Sequence, residues 1–213
     1  MKLPIHAITT SVLYHDFLDR TLPRTLEVVE RVTVITAPDD FQTRSVCEKH
    51  GVDPVVTELF TENNSCFDKG AAIGAALATV DPGWVLLLDA DILLPAPLEI
   101  PLSVLDRDAI HGCERRLVVG SGQLSELEGG RRDFPLMRPH IEEGKPMPIG
   151  FFQLFHSSGG GSHPSYPTAA ESDAAFTRSF ASRSMLPLTV WHLDSVESNL
   201  GDNWWGRTTP LFS

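Results

Sequence analysis

Cysteine is scarce in this 213-residue chain: Cys47, Cys66 and Cys113 are the full complement. The number is odd and no CxxC spacing occurs. Both facts argue against a disulfide framework and against a cysteine-built zinc site. Long apolar runs are missing too. The longest aliphatic stretch lies around Trp84 to Leu88, far short of the ~20 residues a membrane span needs. The N-terminus, MKLPIHAITT, carries one lysine and then Pro4 and His6 in place of an apolar core, so it reads poorly as a signal peptide. Basic residues are outnumbered 17 to 28, for a net charge of −11. A chain so anionic lacks the net pull toward polyanions that nucleic acid or an anionic membrane rewards. Duplex nucleic acid is therefore disfavoured as a partner, and only a local basic groove would revive it. With 42% apolar and 21% charged residues, the composition is that of a globular protein with core to spare. The expectation is a soluble, cytoplasmic domain.

The first hundred residues alternate in kind. Ile5 to Thr10 is apolar. Phe17 to Glu30 has helical spacing, with Phe17, Leu18, Leu22, Leu26 and Val29 available to one face, interrupted by Pro23. Arg31 to Thr36 is β-branched and predicts a buried strand. Residues 37–40 break it and open a helix through Gly51. Pro54 to Leu59 predicts a third strand, Lys69 to Thr79 a helix, and Trp84 to Leu88 a fourth, fully buried strand. Strands alternating with helices predict a parallel sheet covered by helices. The second half is less regular. Leu117 to Gly120 and Gly150 to Phe155 predict strands, with loop and a hairpin between them over Glu126 to Lys145. Ser157 to Pro167 (SSGGGSHPSYP) has a flexible composition. Thr168 to Arg183 predicts a helix, and Met185 to Leu193 closes the regular part. There is no internal repeat and no second-domain boundary.

The strongest chemical signal is LLLDADILLP, residues 86–95. Acidic residues seldom follow an aliphatic strand core unless something pairs them. In a parallel sheet this is a carboxyl end, where ligands bind in open α/β folds. Residues two apart on a strand point the same way, so Asp89 and Asp91 face one spot. A cation relieves their repulsion, and oxygen ligands suit Mg²⁺ or Mn²⁺.

The run from Phe67 to Leu77 (FDKGAAIGAAL), followed by DADILLP, resembles the nucleotide-sugar half of a GT-A glycosyltransferase, most nearly the family 2 type. The resemblance covers residues 3–95 in order of elements and the rest more loosely. It implies an α/β, Rossmann-like, mostly parallel mixed sheet flanked by helices in one domain. Residues 1–100 would form the nucleotide-sugar-binding half. Residues 101–213 would form the acceptor-binding half, with a flexible loop near 157–167. The implied donor is a UDP- or GDP-linked sugar, the acceptor carries a hydroxyl, and the cofactor is Mn²⁺ or Mg²⁺. Thr9 and Thr10 would border the nucleotide, Asp39 the base or ribose, and Lys69 would sit near the diphosphate or the metal carboxylates. Asp89 would touch the ribose or metal-bound water, and Asp91 would ligate the metal. Lys69 and Gly70 at a helix N-terminus suit a diphosphate on physical grounds as well.

Two later features complete the implied site. Glu171-Ser172-Asp173 is similar to the acidic motif that carries the acceptor base in inverting members, with Asp173 the first choice and Glu171 the second. His192, in Trp191-His192-Leu193, stands where some members supply a third metal ligand. Trp204 and Trp205 would offer a sugar-stacking face, and Arg207 would close over the diphosphate. Arg115-Arg116 reads as a solvated face. Three rival readings remain open. One is a non-catalytic nucleotide- or sugar-binding protein of this fold. Another is a glycosyltransferase acting on modified bases in DNA. The last is a nucleotidyltransferase, disfavoured because Thr9 to Asp16 has no glycine for a phosphate loop.

Overall fold

The computed structural model describes residues 1–62, 65 and 67–195. The chain order is β1 (Leu3–Thr10), α1 (His15–Val28), β2 (Val29–Thr36), α2 (Phe41–Lys49), β3 (Val55–Val56), α3 (Lys69–Leu77), β4 (Trp84–Leu88) and β5 (Ile92–Leu93). Then follow β6 (Ala109–Val119), α4 (Gly120–Glu128), β7 (Ile141–Glu142), β8 (Lys145–Pro146), β9 (Phe152–His156), α5 (Ala169–Arg178) and β10 (Ser182–Asp194). Among the described residues, eight strands form one mixed sheet in the order β3-β2-β1-β4-β9-β6-β10-β5, and β7 and β8 form a hairpin apart from it. β1 runs parallel to β2 and β4, while β9 runs antiparallel to both β4 and β6.

The aliphatic run of β4 follows from burial on two faces. Trp84, Leu86 and Leu88 point into one apolar cluster, and Val85 and Leu87 into another. With period two, both faces demand apolar residues, hence the unbroken run. α3, α5 and the turn after α5 cover the second face through Ala72, Ile73, Ala76, Phe176 and Phe180. Among the described residues no helix is long and apolar enough to cross a membrane.

Several elements differ from the sequence expectation. α1 runs through Pro23, because Pro23 is on the exposed side while Phe17, Leu18, Leu22 and Val28 anchor the other. The third strand shrinks to Val55–Val56. Loop with a hairpin was expected across 126–145, and the hairpin is there as β7 and β8, but α4, Gly120 to Glu128, takes the first three residues of that stretch, seated by Leu124 and Leu127 against Phe134 and Val118. β6 begins eight residues before the expected strand. The 157–167 segment has no regular structure, but its second half is pinned. Ser165 Oγ and the Tyr166 N–H both donate to Asp68, and Pro167 O accepts from the Phe67 N–H.

Candidate active site

The site forms where β1 and β4 end. After Leu88 the backbone turns, with the Ile92 N–H donating to Asp89 O, and β5 then pairs with β10. Asp89 and Asp91 therefore sit in a turn and not on a strand, yet both line the same cleft of about 230 Å³. Thr10, Lys69, Arg115, Gly150, Phe151, Asp173 and His192 line it as well. The cleft thus joins Lys69, Asp89 and Asp91 from the first half of the chain to Arg115, Asp173 and His192 from the second.

Lys69 is the hub of one side. Its Nζ lies 2.5 Å from Asp89 Oδ1 and 3.6 Å from Asp173 Oδ1, with only 9% of the side chain exposed. Burial opposes its charge, but Asp173, Asp89 and Asp91 together hold its pKa above the ordinary lysine value. Asp173 fares differently. Burial lifts its carboxyl above the usual carboxylate range, Lys69 pulls the other way, and Asp89 adds to the lift. The close Lys69 contact goes to Asp89, so desolvation prevails at Asp173. A carboxylate raised in this way is a better proton acceptor at neutral pH. Room for it comes from Gly150, where a Cβ would stand 2.0 Å from Asp173 Oδ2.

Helix α3 presents Lys69 but not its backbone end. Asp68 caps it by accepting from the Ala71 N–H, and Pro164 lies so close that a Cβ on Gly70 would meet its carbonyl oxygen at 1.9 Å. The expected pairing of Lys69 with free N–H groups at this helix start is therefore corrected. The lysine reaches the cleft, while the helix end is covered by the 163–167 segment.

The other side is a chain of three residues. Arg115 donates through a guanidinium N–H to His192 Nδ1 at 2.9 Å, and His192 Nε2 lies 3.4 Å from Asp91 Oδ2. Arginine can only donate, so Nδ1 accepts and the ring proton sits on Nε2, facing Asp91. Asp91 Oδ1 is buried without a hydrogen-bond partner. Among the described residues, no three His, Cys, Asp or Glu side chains are grouped to hold a metal ion by themselves. The residues present fit a cation of the Mg²⁺ or Mn²⁺ kind, which takes one or two carboxylates and fills its remaining positions with phosphate oxygens and water. Asp91 Oδ1 is the available ligand, with Asp89 beside it. In this arrangement His192 turns its Nε2 N–H toward Asp91, and ligation through Nε2 would need the proton moved to Nδ1 and the Arg115 contact given up.

No family model matches the chain, and neither does any curated protein. Solved structures do. One is a mannosyltransferase from Pyrobaculum calidifontis in complex with GDP-Man and Mn²⁺, 15% identical, TM-score 0.59, matched over 90% of this chain and 57% of that one. Another is glucosyl-3-phosphoglycerate synthase from Mycobacterium tuberculosis with Mg²⁺ and UDP, 15% identical, TM-score 0.53, over 98% and 73%. The same synthase with Mn²⁺, UDP-glucose and phosphoglyceric acid matches at 14% and TM-score 0.52, over 98% and 73%. The fold is GT-A. The chain spans little more than half the length of the mannosyltransferase, and at these identities the likeness concerns the fold.

Within this GT-A fold the remaining sequence candidates fall as follows. Thr9 and Thr10 are both buried at the end of β1, and Thr10 lines the cleft. Asp39 is exposed. Its neighbour Asp40 is buried and accepts from the Leu13 N–H at 2.7 Å and from Thr43 N and Oγ1. Asp40 thereby holds the loop after β1, in which Leu13 has a φ of 61°. Glu171 is exposed on the first turn of α5 and does not line the cleft. Trp204, Trp205 and Arg207 lie outside the described residues.

Two site residues escaped the sequence reading. Arg115 was expected on a solvated face, yet it is half-buried, with its guanidinium 4.3 Å above the Phe151 ring. Burial lowers its pKa against the pull of Asp89 and Asp91. Strand alternation would have separated it from Arg116, had β6 been extended back to Ala109. The other is His163, buried in the glycine-rich segment with Nε2 3.9 Å from Asp173 Oδ1. No spacing signal points to it, because Asp173 lies ten positions on, beyond any local pattern, and Lys69 lies far back in the chain.

Proposed function

We propose that this chain is a metal-dependent glycosyltransferase. It moves a hexose from a UDP- or GDP-linked donor to an acceptor hydroxyl, with Asp173 as the base. The observation that carries the reading is the convergence of Asp89, Asp91, Lys69 and Asp173 in one cleft at the carboxyl end of β4. The GT-A fold and the metal-bound nucleotide sugars named for the similar structures support it.

Each residue has a task in this scheme. Asp91, with Asp89, would hold the divalent cation. Bound there, the cation would supply positive charge against the diphosphate as it leaves. Lys69, kept charged by three carboxylates, orients Asp89 and adds to that positive field. Arg115 fixes the ring of His192, which in turn fixes Asp91. Asp173 takes the proton of the acceptor hydroxyl as its oxygen attacks the anomeric carbon. With the base on the acceptor side, the displacement inverts configuration.

Titration calorimetry of UDP and GDP with Mn²⁺, paired with transfer assays, tests the two roles separately. Asp91→Ala is expected to lose manganese-dependent nucleotide binding, and unchanged affinity would refute the metal assignment. Asp173→Asn is expected to keep that binding and lose at least ~10²-fold in kcat. Full turnover would move the base elsewhere.

A further inference from the structure

A second cavity, about 460 Å³, adjoins the cleft and shares Arg115, Ile149 and Phe151 with it. Its origin is a break in sheet register. Met185 lies opposite Gly112 and Thr189 opposite Glu114, so three residues of β10 stand against one of β6. Bulges of this kind open a sheet locally and re-aim its side chains. Pro187, inside the bulge, has no N–H to leave unpaired. The apolar wall of the cavity is aliphatic and thioether: Met147, Met185, Leu186 and Leu188, with Met147 and Leu186 buried. Leu136, on the same wall, is 50% exposed.

A cavity of this size, with apolar walls and Glu114, Arg115, Arg138 and His140 among its lining, has the character of a small-molecule site. Methionines suit a site whose occupant varies in shape. A small anion would find Arg115 and Arg138 in the lining but would leave the apolar wall of Met147, Met185, Leu186 and Leu188 uncovered. An alkyl chain or aromatic ring would cover it and remove it from water. The shared residues make the cavity continuous with the place where Asp173 waits.

We infer that this cavity receives the apolar body of the acceptor, an alkyl or aromatic aglycone, while the acceptor's hydroxyl enters the cleft past Ile149 and Phe151. The inference rests on the transferase reading. In the reaction the hydroxyl oxygen forms the new bond to the anomeric carbon. The bond from that carbon to the diphosphate breaks, and the diphosphate leaves with the electron pair. The hydroxyl proton passes to the Asp173 carboxylate.

The test uses the full chain with two acceptor probes, n-octyl β-D-glucopyranoside below its micelle-forming concentration and methyl β-D-glucopyranoside. Calorimetry is expected to show the octyl probe binding at least tenfold more tightly, with a hexosylated octyl product forming in the presence of donor and Mn²⁺. Leu136→Asp, at an exposed position, is expected to weaken octyl binding at least fivefold with nucleotide affinity unchanged. Leu188→Trp, which fills the cavity, is expected to do the same. Nucleotide binding with no preference for the octyl probe overturns the cavity assignment alone. Octyl binding untouched by either variant overturns it too, by placing the probe elsewhere. Octyl binding without any nucleotide binding overturns the transferase reading, and the acceptor role with it.

Discussion

His163 couples a buried imidazole to the acid stability of the protein. Its ring stacks on Phe176 at a centroid distance of 4.6 Å, and Nε2 is buried without a partner. Lys69, Asp68 and Asp173 face it. Burial, seconded by Lys69, pushes its pKa down to about 4. An unfolded histidine titrates near 6.5, so between pH 6.5 and 4 the unfolded chain holds the extra proton. Stability therefore falls as pH falls through that window, by about 3 kcal/mol in all. His163→Gln is expected to flatten the acid limb of the urea-midpoint profile. A variant profile parallel to that of the wild type would assign the slope to other groups. At this scale, what the sequence reveals depends on the range of the signal. Asp89, Asp91 and Lys69 stand out because neighbouring residues mark them: an aliphatic run stopped by acid, a lysine before glycine. Arg115 and His163 acquire their meaning from residues 77 and 10 positions away in His192 and Asp173, and no local pattern carries that.

The elements show where glycine is required and where it is merely tolerated. Gly70 opens α3 directly beneath Pro164, and both groups in contact are backbone, so neither can swing aside. Gly70→Ala is expected to cost about 1–3 kcal/mol or more in urea unfolding. Gly122, in α4, has an open position with nothing within 4 Å of an added Cβ. Gly122→Ala is expected to raise stability by about 0.5–1 kcal/mol, chiefly by restricting the unfolded chain. Equal effects at the two sites would contradict the packing described. Composition alone conveys neither contact pattern. Residues 157–167 read as loose because they are rich in Gly and Ser, whereas Asp68 and the two glycines of α3 provide the seat for their second half. α4 stayed hidden because Gly120 and Gly122 mask its start and only Leu124 and Leu127 mark its buried face.

Over the whole molecule, legibility follows the direction of the strands. β1 to β4 alternate with helices, and β4 buries both faces, which leaves a plain rhythm in the residues. Beyond β4 the sheet turns mixed. β9 inserts antiparallel between β4 and β6, and β10 carries polar residues and a bulge, so periodicity weakens where the acceptor half begins. The far edge of the sheet then closes back on the site. β5 follows Asp91 directly and lies at the outer edge, held by β10 through Trp191 to Leu93 and His192 to Ile92. The Leu193 N–H also donates to Asp91 O at 2.9 Å. An edge strand of two residues would fray readily on its own. A bound cation and nucleotide that engage Asp91 would oppose its opening. Amide hydrogens of Ile92, Leu93 and residues 191–193 are therefore expected to exchange more slowly with deuterium once UDP and Mn²⁺ bind, while those of β2 and β3 keep their rates. Slowing spread evenly over the sheet would show that the ligand steadies the fold as a whole. Slowing confined to this edge would make β5 a latch that the substrate itself fastens.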